Sequence, residues 1–191
     1  MDSLYLLQFA CFIFMIVNAF FVALSHLHVR WENKRYEHSR WMIVVALIGL
    51  AIQYVIQMVF GFRAADDSLG AVVNILVYTP CFSLISMGIY NIETTRSNLR
   101  KMILMCSGIY AAIIVVFYVG IRLHHSLYIR EGLYIMLALF CVSVIYCISM
   151  IVREMIRRKN MLETMAATDL LPYVRYSRAS VVILWLAVLA M

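Results

Sequence analysis

Apolar positions along this chain gather into five long blocks, residues 4–25, 41–62, 69–92, 102–121 and 133–152, with the charged residues confined to the gaps between them. Each block holds roughly 20 residues or more, enough for a helix to cross the hydrocarbon core of a bilayer. None contains Asp, Glu, Lys or Arg, and Glu93 lies just beyond the third. A helix half-buried in a soluble protein carries a charged or polar stripe on its solvent side; these blocks carry no charge on any side. The pattern predicts an all-α integral membrane protein, a bundle of five full transmembrane helices. A sixth block, residues 179–191, gives about 13 residues or roughly 20 Å of helix, short of the ~30 Å core. It reads as the start of a truncated sixth span, so the chain is expected to be the amino-terminal part of a longer protein, or a truncated product. Three regions follow: a bundle over residues 1–152, a basic amphipathic segment over 153–178, and the start of the sixth helix over 179–191.

The gaps set the orientation. Arg30, Lys34, Arg35 and Arg40 precede the second block, Arg96, Arg100 and Lys101 the fourth, and Arg153, Arg157, Arg158, Lys159, Arg175 and Arg178 follow the fifth. Only Arg63, Arg122 and Arg130, of 16 basic residues, fall on the other side. Cytoplasmic loops retain positive charge, so the N-terminus is expected outside, with the first, third and fifth connections in the cytoplasm. Trp31, Tyr36 and Trp41 flank the first inner connection, and Tyr118, Tyr128 and Tyr134 the second outer one, where aromatic rings favour the headgroup level. The first block has no basic leader and no small-residue cleavage site, so it reads as a retained span.

Composition changes this picture little. The chain is 65% hydrophobic and 14% charged, with a mean hydropathy of +0.91, whereas soluble domains sit nearer half apolar and a quarter charged. The net charge of +6 is split among short inner loops, which argues against nucleic-acid binding by this segment. Its expected partners are the lipid bilayer and, at Arg157, Arg158 and Lys159, anionic inner-leaflet lipids. The plainer role of that cluster is to fix orientation. Past Val152 the helix is expected to continue as a short amphipathic segment, with Glu154 and Arg158 four apart, until a turn near Pro172.

No glycine-rich phosphate loop, HExxH, GxSxG or CxxC occurs, so no cofactor, metal site or catalytic residue is assigned. All five cysteines (Cys11, Cys81, Cys106, Cys141 and Cys147) lie inside apolar blocks and read as small apolar fillers. No ionisable residue sits deep in a span, which speaks against a pump or ion-coupled transporter.

Polar residues within the spans carry the interest, because unpartnered polar groups are costly in hydrocarbon. Gln53 and Gln57 share one face of the second helix, Asn74 and Tyr78 one face of the third. Both pairs lie in the outer parts of neighbouring antiparallel spans, so Gln57 and Asn74 are within reach across the hairpin. The plain reading is interhelical hydrogen bonding, about 0.6 kcal/mol each; the functional reading is a polar pocket opening outward. Pro80, mid-span, frees the carbonyl of Leu76, with Thr79 and Ser83 placed to help satisfy it; it is a static bend or a hinge. Gly108 with Ala112, and Ala19 with Ala23, form small-residue pairs suited to close helix contact or a homo-oligomer. In the outer loops Asp66, Asp67, His124 and His125 could sense pH or a metal; solvated interfacial side chains are the plainer account.

Ser39-Arg40-Trp41-Met42, Gln57, Gly61-Phe62-Arg63-Ala64, Gly70-Ala71-Val72-Val73-Asn74, Tyr78-Thr79-Pro80, Asn91-Ile92-Glu93 and Pro172-Tyr173 together resemble the amino-terminal membrane region of bacterial membrane-tethered regulators. In that family a multi-spanning sensor precedes a cytoplasmic AraC-type helix-turn-helix domain, and related membrane regions precede sensor histidine kinases. The resemblance implies a sensory input module in the bacterial inner membrane, with its output domain beyond Met191. The alternatives are a small facilitator or channel for a neutral solute, and a membrane scaffold.

Overall fold

The computed structural model describes residues 3–25, 34–61, 67–93, 99–124 and 130–165, and within them every residue except Ser25 and Gly61 is α-helical. The helices are α1 (Ser3–Leu24), α2 (Lys34–Phe60), α3 (Asp67–Glu93), α4 (Leu99–His124) and α5 (Arg130–Met165). All five are long and apolar enough to cross a membrane. The chain is an integral, multi-pass membrane protein.

Each helix corresponds to one predicted block, with α1 and α2 ending one and two residues before theirs, and two helices start well before or run well past their block. α2 begins at Lys34 rather than Trp41, so Lys34, Arg35 and Arg40 are helical rather than loop residues. Glu37 in its first turn complements the positive end of the helix dipole. α5 runs unbroken for 36 residues, about 54 Å, well beyond the ~30 Å that lipid requires. Hydropathy marks where lipid ends; it does not mark where backbone hydrogen bonding ends. The Pro172 turn and the sixth block lie outside the described residues.

α3 is the organising element, packing against α2, α4 and α5; α1 packs on α2, and α4 also on α5. α1 is peripheral and turns Leu6, Leu7, Phe14, Phe20 and Phe21 outward, a surface that lipid solvates without penalty. Toward the loop that follows α2, Val72, Ile75, Ile113 and Met136 join α3, α4 and α5. Ala46, Leu50, Tyr78 and Cys81 join α2 to α3. Toward the opposite end, Phe82, Met87, Tyr90, Met102, Cys106, Cys147 and Ile151 form the largest cluster.

Two glycines let α2 and α3 approach. A Cβ on Gly49 would lie 2.9 Å from Cys81 Sγ, and one on Gly88 2.8 Å from Ile43 Cγ1 and 3.0 Å from the Ser39 carbonyl oxygen. The small-residue pair expected in α4 works differently: a Cβ on Gly108 would meet nothing within 4 Å. Spacing alone does not reveal which helix face meets a neighbour. Gly61 closes α2 with φ of 60°, its N–H donating to Gln57 O at 2.9 Å, a left-handed cap that a Cβ would strain. α3 continues through Pro80. There Thr79 Oγ1 donates to Ile75 O at 2.6 Å rather than to the Leu76 carbonyl, and Ser83 lies beside Cys106.

Candidate functional site

Four side-chain amides from three helices meet near the α2–α3 hairpin end of the bundle. Gln57 Nε2 donates to Asn74 Oδ1 in a very short bond. Gln53 Nε2 donates to the same oxygen at 3.0 Å. Gln8 Nε2, from α1, donates to Gln57 Oε1 at 3.4 Å. Gln53 and Gln57, one helical turn apart, point the same way and clasp Asn74 from one side. Gln53 is fully buried, and Gln57 and Gln8 nearly so. The amides are thus spent largely on one another. One acceptor is left over: Gln53 Oε1 is buried without a partner, a group that would bind a donor tightly if one arrived.

Next to Gln53, Tyr54 of α2 has Tyr78 of α3, one turn beyond Asn74, and Cys11 of α1 within hydrogen-bonding reach. Tyr78 is buried against Ala46, Leu50 and Cys81, and the only buried polar side chains described between it and the opposite end are hydroxyls, those of Thr79, Ser83, Ser86 and Ser143.

A second polar assembly occupies the far end. Arg40 is 3% exposed. Its Nη1 donates to the carbonyls of Ala23 at 3.0 Å and Ser25 at 3.4 Å, at the end of α1. Its Nη2 meets Glu37 Oε1 at 2.6 Å, an oxygen that also accepts from Trp41 Nε1 at 3.1 Å. The guanidinium stacks near the Trp41 ring, 5.4 Å from its centroid. A cation against the last carbonyls of α1 both satisfies orphan acceptors and opposes the negative end of its dipole. On the other side of α2, Asn91 Nδ2 donates to Ser39 Oγ at 2.9 Å and to Arg35 O at 3.2 Å, tying α3 to α2. Glu37, His38 and Trp41 also edge a surface groove of about 340 Å³ that continues over Met42, Val45 and Leu84.

Of the residues singled out from sequence, Gln53, Gln57 and Asn74 converge, Tyr78 lies one turn below, and Pro80 stays helical and half-buried. Asp66 and His125 lie outside the described residues; Asp67 opens α3 and His124 ends α4, with no side-chain environment described for either. Arg157 is exposed and pairs with Glu154 at 3.8 Å, while Arg158 and Lys159 are half-buried on the same turn. Asn18, also polar and within a span, bonds its own helix at Phe14 O, 2.7 Å away. The sequence pattern misses Gln8 and the Arg40 assembly. Gln8 shares a stripe with Cys11, Met15 and Ala19 at helical spacing, a signal that could flag it. Arg40 counts among the basic loop residues by charge alone, although it directly precedes an uncharged block.

Among the described residues no group of three or more His, Cys, Asp and Glu is placed to hold a metal ion. No protein-family model matches the chain, and neither a curated protein nor a solved structure matches it significantly.

Proposed function

We propose that this protein is the membrane-embedded sensory input module of a bacterial signalling protein, lying in the inner membrane with its N-terminus outside. The output domain, an AraC-type regulator or a histidine kinase, would follow residue 191. The observation that carries the reading is the amide cluster: four uncharged polar side chains, three buried and Asn74 half-buried, hold three helices together at one end, with one acceptor still unused. Neutral amides couple helices without the cost of a buried ion and exchange partners at a cost of about 0.6 kcal/mol per bond. Such a joint can rearrange under a modest stimulus, whether a ligand or a change in the bilayer.

Rearrangement there has a path to the other end. α3 carries Asn74 near its start and Asn91 near its end, and it packs on α5 as well as α2. α5 in turn extends beyond the apolar block to Met165, carrying Arg157, Arg158 and Lys159 into what the charge distribution makes the cytoplasmic headgroup zone. Pivoting of α3 would shift α5 and whatever follows it.

The test is output from the full-length protein carrying Gln57→Leu or Asn74→Leu. Altered basal or stimulated output at normal membrane expression is expected; unchanged output at normal expression would reject the cluster as the responsive element.

A further inference from the structure

A second feature, separate from the amide cluster, lies at the centre of the bundle where α3, α4 and α5 meet. Cys106 Sγ of α4 and Cys147 Sγ of α5 are 3.6 Å apart, and the two residues are 2% and 0% exposed. Ser83 lies beside Cys106, and Ser86 and Ser143 lie beside Cys147. The Ser86 and Ser143 hydroxyls are themselves buried and have no other hydrogen-bond partner. Two unclaimed hydroxyls in an apolar core are costly unless they serve the sulfurs, because each forfeits hydration without a strong replacement bond. Thiols are weak acceptors. A more polar sulfur species, a sulfenic acid or a thiolate, would use those donors far better.

We infer that Cys106 and Cys147 form a redox-active dithiol that hydrogen peroxide converts to a disulfide joining α4 to α5. Peroxide is small and neutral, so it can enter lipid and a packed bundle as water-sized molecules do. One thiol attacks a peroxide oxygen, the O–O bond breaks, and a sulfenic acid and one water result. The second thiol, in contact already, displaces the hydroxyl as a second water and closes the S–S bond. The dithiol loses two electrons and two protons, and one peroxide yields two waters. Contact at 3.6 Å must shorten to about 2.05 Å, a closure of helix-packing scale between two antiparallel neighbours. The pairing is selective because Cys141 faces away at the bundle surface and Cys81 lies against α2, where Gly49 approaches it.

The test uses the unmodified protein in native membranes. After peroxide treatment and quenching, the protein is denatured, alkylated with N-ethylmaleimide and weighed, and its peptides are mapped. Within residues 1–191 the reduced protein takes five labels, one per free cysteine, and the counts that follow refer to these residues. Oxidised protein is expected to take three, with Cys106 and Cys147 in one cross-linked peptide, and dithiothreitol should restore five. Cys106→Ser and Cys147→Ser should each keep all four remaining labels. Retention of five labels overturns the inference, as does a disulfide that uses Cys11, Cys81 or Cys141, or oxidation of either cysteine to sulfinic acid without a cross-link.

Discussion

Replacing Gly88 with alanine probes the close approach of α2 and α3. The added Cβ would lie 2.8 Å from Ile43 Cγ1, 3.3 Å from Ile43 Cδ1 and 3.0 Å from the backbone oxygen of Ser39. Ile43 can turn aside, but the Ser39 carbonyl moves only if α2 moves. Separating the helices by even 0.5–1 Å forfeits about a quarter to a half of each van der Waals contact along the seam. It also stretches the Asn91–Ser39 bond, now 2.9 Å. Overpacking of this kind costs about 1–3 kcal/mol, set against a gain near 1 kcal/mol for alanine over glycine within a helix. The net expectation is a loss of about 1 kcal/mol. Gly108→Ala supplies the control, since its Cβ meets nothing within 4 Å and only the propensity gain of up to about 1 kcal/mol applies. The two variants should therefore differ by about 2 kcal/mol, roughly 30-fold in the folded-to-unfolded ratio. Unfolding by dodecyl sulfate in mixed micelles, followed by circular dichroism, reads both midpoints. If Gly88→Ala proves as stable as Gly108→Ala, the close α2–α3 approach is wrong.

Three further substitutions probe the polar assemblies and the helix end. Asn74→Leu removes the acceptor of two interhelical bonds, at least about 1.2 kcal/mol at the membrane average, and should cost more than Gln8→Leu in the same unfolding assay. Equal effects would mean that Asn74 is not the hub. Arg40→Met leaves the carbonyls of Ala23 and Ser25 without their cation and Glu37 without its closest partner, so a loss on the order of 2–3 kcal/mol is expected. Arg40→Lys should recover only part of it, because an ammonium cannot span both groups; full recovery would show that charge alone matters. Gly61→Ala should lower stability by about 1–2 kcal/mol, the penalty for a Cβ at φ of 60°, and no change in the midpoint would argue against the left-handed cap.

Which features of this protein are legible in its sequence depends on which physical constraints act locally. The bilayer imposes its thickness on each span separately, so the five blocks and their uncharged interiors reveal the fold class from composition along the chain alone. Helical periodicity likewise places Gln53 with Gln57 and Asn74 with Tyr78, and a short hairpin brings the two faces together. Contacts between helices distant in sequence answer to no local rule. Lipid and protein interior are equally apolar, so hydropathy does not say which face of a span meets a neighbour. For that reason Gly108 has the spacing of a contact point and meets no other helix of this chain, while Gly49 and Gly88 do. Gln8 joins the amide cluster only because α1 packs on α2, and Arg40 becomes a buried cap only because the end of α1 lies beside it. Cys106 and Cys147, 41 residues apart, are indistinguishable from filler until α4 and α5 stand side by side. Span positions follow from the solvent around the chain; partners follow from close packing, which is decided only when all the helices are assembled.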